Sequence, residues 1–117
     1  FTVWKRLVRN YGDRIALRDP HSQPIVELTY DQVFEQALNF AGGLQSLGVA
    51  PGDRAAIIAE NSPRWLIADL GTLFASLVNV PRSAIAPLPE LEYILRHSGS
   101  TTVILQDLKT WKQLQHI

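Results

Sequence analysis

Behind the turn Pro51-Gly52-Asp53 the chain runs Ala55-Ala56-Ile57-Ile58-Ala59, apolar at every position. A strand with one wet face would alternate apolar and polar side chains. An unbroken run needs cover on both faces, and the architecture that supplies it is a parallel sheet with helices packed above and below. This segment is therefore read as a central strand, and the rest of the chain as the means of covering it.

The flanking patterns provide that cover. Thr29 with Gln32 makes a capping box, and the helix it starts carries Tyr30, Val33, Phe34, Ala37, Leu38, Ala41, Leu44 and Leu47 on one face, with Gly48 placed for the left-handed position after its last turn. Val49 then folds back on Leu44. Ser62 and Pro63 open a second helix in which Leu66, Ile67, Leu70, Leu73, Phe74 and Leu77 surround a polar stripe of Asp69, Thr72 and Ser76. Val78-Asn79-Val80 reads as a strand, Pro89 to His97 as a helix ended by Gly99, Thr101 to Leu105 as a buried strand, and a last helix follows Asp107. Ahead of all this, Trp4, Leu7, Val8 and Tyr11 fit a short helix stopped at Gly12. Ile15-Ala16-Leu17 and Ile25 to Leu28, joined through Asp19-Pro20-His21-Ser22-Gln23-Pro24, fit a hairpin. The fold class is α/β: a partial doubly wound parallel sheet of right-handed βαβ units, preceded by a short helix and a β-hairpin, over residues 1–117 as a single segment.

Charge and composition narrow the chemistry. Eleven basic and eleven acidic residues give a formal charge of zero, which removes the basic footprint of a nucleic-acid binder or of a protein held to an anionic membrane. The apolar window Trp65 to Val80 is interrupted by Asp69 and falls short of the roughly 20 residues of a spanning helix. With no cysteine there is neither a disulfide nor a thiolate site, a composition that fits a reducing cytoplasm.

No catalytic or metal-binding set is complete. Gly43 and Gly48 have the spacing of a phosphate loop, yet Val49-Ala50 stand where Lys and Ser/Thr are needed, so Gly42-Gly43 are read as letting another backbone approach closely. His21, His97 and His116 are too scattered for a metal, and His97 suits the last turn of its helix. Ser98 lacks the setting of an activated nucleophile. Glu90 and Glu92 point to different helix faces, Asp69 is read as exposed on the polar stripe, and Trp65 is read as a packing anchor. Arg82, directly after Pro81 at a strand's carboxyl end, stands where open α/β sheets bind ligands and is the one candidate substrate contact; a helix cap or surface salt bridge is the competing role.

Several stretches, in order, resemble the opening of the AMP-forming adenylating superfamily. They are Leu28-Thr29-Tyr30, the segment Leu47-Gly48-Val49-Ala50-Pro51-Gly52-Asp53-Arg54 leading into Ala56-Ile57-Ile58, Asn61-Ser62-Pro63-Arg64-Trp65, Leu73 to Pro81, and Leu91-Glu92-Tyr93-Ile94-Leu95 with Ser98-Gly99-Ser100. The likeness runs from about Trp4 to Asp107, and Asn61 to Trp65 with Arg82-Ser83-Ala84 look most like long-chain fatty acyl-CoA or acyl-ACP synthetases. The resemblance implies that ATP with Mg²⁺ activates a fatty acid to an acyl-adenylate, and that the thiol of CoA or of an acyl carrier protein then displaces AMP. It also implies that the phosphate loop, metal ligand and lid domain belong to other parts of the enzyme, and it leaves room for a peripheral membrane contact of the whole protein. Pro81-Arg82-Ser83 departs from the family's commoner Pro-Leu-Asn or Pro-Leu-Tyr.

Phe1 in place of an initiator methionine, and an ending at Gln115-His116-Ile117 inside a helical pattern, lead to the expectation of a piece of a longer chain, inactive alone. Two alternatives stand beside it: a free-standing flavodoxin-like binding or regulatory module, and the same enzyme family acting on an aryl or amino acid.

Overall fold

The structure, a computed structural model, describes all residues 1–117. In chain order the elements are α1 (Thr2–Tyr11), β1 (Ile15–Asp19), β2 (Val26–Thr29), α2 (Tyr30–Ser46), β3 (Arg54–Ile58), α3 (Pro63–Phe74), β4 (Val78–Arg82), α4 (Leu88–Ser98), β5 (Thr102–Leu105) and α5 (Leu108–Leu114). The antiparallel pair β1-β2 is the expected hairpin. The parallel sheet has the order β4-β3-β5, with Ala55 beside Asn79 on one neighbour and Thr102 on the other.

Because side chains alternate across a strand, the run in β3 serves two cores at once. Ala55 packs with Ala41 and Leu44 of α2 and with Ala75 and Leu77 after α3, and Val49 does fold onto this cluster. Ala56 and Ile58 meet Leu91 of α4 and Leu114 of α5. Residues Ala55 to Ile58 are each 0% exposed, which is the two-sided burial expected of them. Leu91, at 1% exposed, is the largest contribution from α4, worth about 2–5 kcal/mol on truncation to alanine.

The helix caps form as the sequence indicates. The Thr29 hydroxyl accepts from Gln32 N–H at 3.2 Å while the Gln32 side-chain Oε1 accepts from Thr29 N–H at 2.8 Å. Ser62 Oγ accepts from Trp65 N–H at 3.1 Å behind Pro63. β4 is longer than expected and contains Pro81. As the edge strand, paired only with β3, it can place a residue without an N–H where no ladder bond is lost.

Several expectations of packing fail. Gly42 and Gly43 lie exposed on the outer side of α2, and an added Cβ at either meets nothing within 4 Å. The close approaches occur at glycines with no motif around them. A Cβ on Gly71 of α3 would stand 2.8 Å from Phe40 Cβ and 2.9 Å from the Ala37 carbonyl of α2, and one on Gly12 would stand 2.6 Å from the Asp31 carboxylate. The polar stripe of α3 is not solvated either. Thr72 is 0% exposed, its hydroxyl donating to the Ala68 carbonyl at 2.6 Å, and Asp69 is half-buried against the side-chain amide of Asn79. Leu73 is exposed instead, because α2 packs on α3 through the side that carries Gly71 and Thr72. On α2 itself Leu38 and Leu47 are exposed, and Val103 is 44% exposed on β5, an edge strand paired only with β3.

These contacts assign opposite signs to two glycine substitutions. Gly71→Ala forces the α2–α3 contact apart and should cost about 1–3 kcal/mol, whereas Gly42→Ala, with free space and a helical backbone, should stabilise by about 0.5–1 kcal/mol. Urea denaturation of the two variants against the parent chain measures both.

Candidate functional site

The chain leaves β3 for β4 on one side, then crosses back to β5 on the other, so the reversal of strand order falls between β3 and β5. Open α/β sheets bind ligands outside the carboxyl ends of their strands at such a reversal. A cleft of about 470 Å³ opens there. Its apolar wall includes Phe40, Ile57, Trp65 and Ile104; Glu60, Arg64, Gln106 and Asp107 are among the polar groups lining it.

Each polar group is held by the fold. Glu60 follows β3 after Ala59, and its N–H donates to Gln106 Oε1 at 2.9 Å, tying the end of β3 to the end of β5. Its carboxylate accepts from the Ser83 hydroxyl and from Ala84 N–H at 2.8 Å, tying the same point to the loop after β4. One residue thus joins all three strand ends, reinforced by Ala59 N–H donating to the Arg82 carbonyl at 3.1 Å. The Ser83 hydroxyl above all, with the Ala84 and Ile85 amides, holds the Glu60 carboxyl below its ordinary value. Asp107 caps α5, its Oδ1 accepting from Thr110 N–H at 2.8 Å and from the Thr110 hydroxyl at 2.7 Å. Those two bonds, then the nearby charges of Lys109 and Arg64, lower its carboxyl as well.

Arg82 ends β4 at the carboxyl edge of the sheet, as the sequence places it. It is not among the side chains lining the cleft. Its guanidinium is paired with Glu90 in the first turn of α4, an ion pair with both side chains partly exposed. Glu92 pairs separately with Arg96 at 3.1 Å, confirming that the two glutamates serve different faces. Tyr93 and His97 stack 5.2 Å apart on the exposed side of α4, and the Ser98 hydroxyl donates to the Leu95 carbonyl at 3.3 Å. His, Asp and Glu side chains do not gather in threes anywhere in the chain, and the cleft offers one guanidinium and no glycine-rich loop.

The sequence reading missed Glu60, Gln106 and the cleft role of Trp65. A signal was present: Glu60 and Gln106 each stand just past an apolar strand, the position at which a parallel sheet presents polar groups to a ligand.

The family model described as AMP-binding enzyme matches residues 4–117. The chain belongs to the AMP-binding enzyme family. Over 105 residues it is 40% identical to a chloroplastic long-chain-fatty-acid–[acyl-carrier-protein] ligase of Arabidopsis thaliana, covering 90% of this chain and 14% of that protein. It is 31% identical over 115 residues to a long-chain-fatty-acid–CoA ligase of Homo sapiens, covering 92% of this chain and 16% of the relative. The inhibitor-bound N-terminal domain of FACL13 from Mycobacterium tuberculosis superposes with a TM-score of 0.87 at 26% identity, over 99% of this chain and 29% of that structure. The chain therefore spans a small part of its relatives' length.

The lowered carboxyls give this edge a pH dependence. A group whose value falls on folding contributes stability that is present above its unfolded value and lost as pH falls through the folded one. Thermal stability should be level down to the ordinary values of 4.5 for Glu60 and 3.8 for Asp107, then decline below them. Glu60→Gln should lower the neutral-pH midpoint and flatten part of the acid decline; melting curves followed by circular dichroism at stepped pH measure both.

Proposed function

We propose that this chain forms the opening α/β segment of the large N-terminal domain of an ATP-dependent long-chain fatty acyl ligase. The enzyme makes an acyl-adenylate and passes the acyl group to the thiol of CoA or of an acyl carrier protein. The observation that carries the reading is the 40% identity, across 90% of the chain, to a long-chain-fatty-acid–[acyl-carrier-protein] ligase. The open margins of the sheet support it: β4 and β5 are both edge strands, with Val78 50% and Val103 44% exposed, and Leu108 and Trp111 are bare on α5. Isolated domains seldom leave that much apolar surface uncovered.

On this reading ATP and Mg²⁺ are held by the remaining domains, which supply the positive charge that adenylation needs and the exclusion of water from the acyl-adenylate. These residues act as the framework for that site, in a reducing cytoplasm, and the segment alone is inactive. Arg82 is its one substrate contact, releasing Glu90 to meet an anionic group.

Two measurements test this. The 117-residue chain should show no carboxylate-dependent ATP–pyrophosphate exchange, whereas the same sequence within a ligase of its relatives' full length should exchange with long-chain fatty acids and form a thioester with CoA or carrier protein. Exchange by the short chain, or a preference of the long one for aryl or amino acids, sinks the proposal. In the full-length enzyme Arg82→Ala should raise one substrate's KM about 10- to 100-fold, the worth of a charged hydrogen bond; a residue that only braces α4 would cost about 1 kcal/mol of stability and leave KM alone.

A further inference from the structure

We propose that the cleft at the carboxyl ends of β3 and β5 is a binding site for a small monoanion, a single carboxylate on an apolar body. The walls set the apolar part. Phe40 of α2 and Trp65 of α3 bring two rings to a space of about 470 Å³, and Ile104 lines it from β5. All three side chains are half-buried, so they are fixed by packing and still open to a ligand. Space of this order, with an apolar lining and a few placed polar groups, is the usual form of a site for a small organic molecule. Arg82 lies outside the cleft, and the proposal does not rest on the ligase reading.

The polar part follows from which hydrogen-bonding atoms the fold already uses. The acceptors are the busier set. Glu60 Oε1 accepts from the Ser83 hydroxyl and from Ala84 N–H, Asp107 Oδ1 from the N–H and the hydroxyl of Thr110, Gln106 Oε1 from Glu60 N–H, and Ser62 Oγ from Trp65 N–H. What remains to face a ligand is mainly donors. Arg64 lines the cleft with a guanidinium that enters none of the chain's ion pairs, and Gln106, whose oxygen is taken by Glu60, keeps both hydrogens of its amide nitrogen. Donors over apolar walls select an acceptor, and the guanidinium fork matches the two oxygens of a carboxylate. Charge sets the valence: one guanidinium, beside the carboxylates of Glu60 and Asp107, can balance a single negative charge but not a di- or triphosphate.

Titration of the 117-residue chain with naphthoate, followed by nitrogen–proton NMR, tests it. The three tryptophans supply an internal comparison: the indole signal of Trp65 should move saturably at about millimolar ligand, while those of Trp4 and Trp111, which do not line the cleft, stay in place. Naphthylmethanol, which lacks the charge, and inorganic phosphate, which lacks the apolar body, should each bind at least about 10-fold more weakly. Arg64→Gln should weaken naphthoate about 10- to 100-fold, the worth of a charge-assisted hydrogen bond, and Arg64→Lys, with the charge but not the fork, should recover part of that loss. Arg64 is exposed, so both variants should keep the circular dichroism spectrum and melting point of the parent chain. Equal binding of naphthoate and naphthylmethanol, an unchanged affinity in Arg64→Gln, or a shift at Trp4 or Trp111 in place of Trp65 overturns the proposal. So does stronger binding of naphthylmethylamine, which would give the cleft to a cation through Glu60 and Asp107. Adenylation is read separately by the exchange assay, so failure here and failure of the ligase reading are distinguishable.

Discussion

The structure depends on β3 being dry on both sides. Ala55, Ala56, Ile57 and Ile58 have no access to solvent, and Ala55 packs in one helix layer while Ala56 and Ile58 pack in the other. A buried strand of this kind has all its backbone groups committed to β4 and β5, so its carboxyl end is fixed on both sides. The polar residues just beyond it inherit that rigidity. Glu60 can join three strand ends only because β3 sits between the other two, and the small side chains Ala55 and Ala56 let α2 and α4 approach the sheet closely.

What the sequence displayed was local. The Thr29 and Ser62 caps and the unbroken run in β3 are rules satisfied within a few residues, and each element they specify is present at nearly its expected bounds. What it concealed was which side of a helix meets which neighbour. Gly42-Gly43 look like a packing motif and face solvent, whereas Gly71, alone among larger residues, is the one that lets α3 close on Phe40 and Ala37. Thr72 reads as polar by composition, yet by returning its hydroxyl to the Ala68 carbonyl it satisfies itself and can be buried. Neither fact has a signature in spacing, because both depend on the partner helix.

The cleft shows the same division. Arg82 could be placed at the ligand edge of the sheet from its position after Pro81, but its pairing with Glu90 depends on how α4 starts and had no local sign. Glu60 and Gln106 were equally well placed and went unremarked, since a lone carboxylate and a lone amide match no motif. Their role comes from topology: strand order β4-β3-β5 brings residues 46 positions apart within hydrogen-bond distance.

A net charge of zero says nothing of how the charges are distributed along the chain. Lys5, Arg6 and Arg9 occur in a helix without an acidic residue, while carboxylates elsewhere pair with Arg18, Arg82 and Arg96 or cap the Ser83 loop and α5. Screening confines surface fields to about 8–10 Å, so each region of the surface acts through its own charges and not through the balanced total. The same reasoning separates the two ends of the molecule. At the carboxyl edge of the sheet charges are paired and hydrogen-bonded into a rigid rim, while on α1 Lys5, Arg6 and Arg9 enter no salt bridge and hold no element in place.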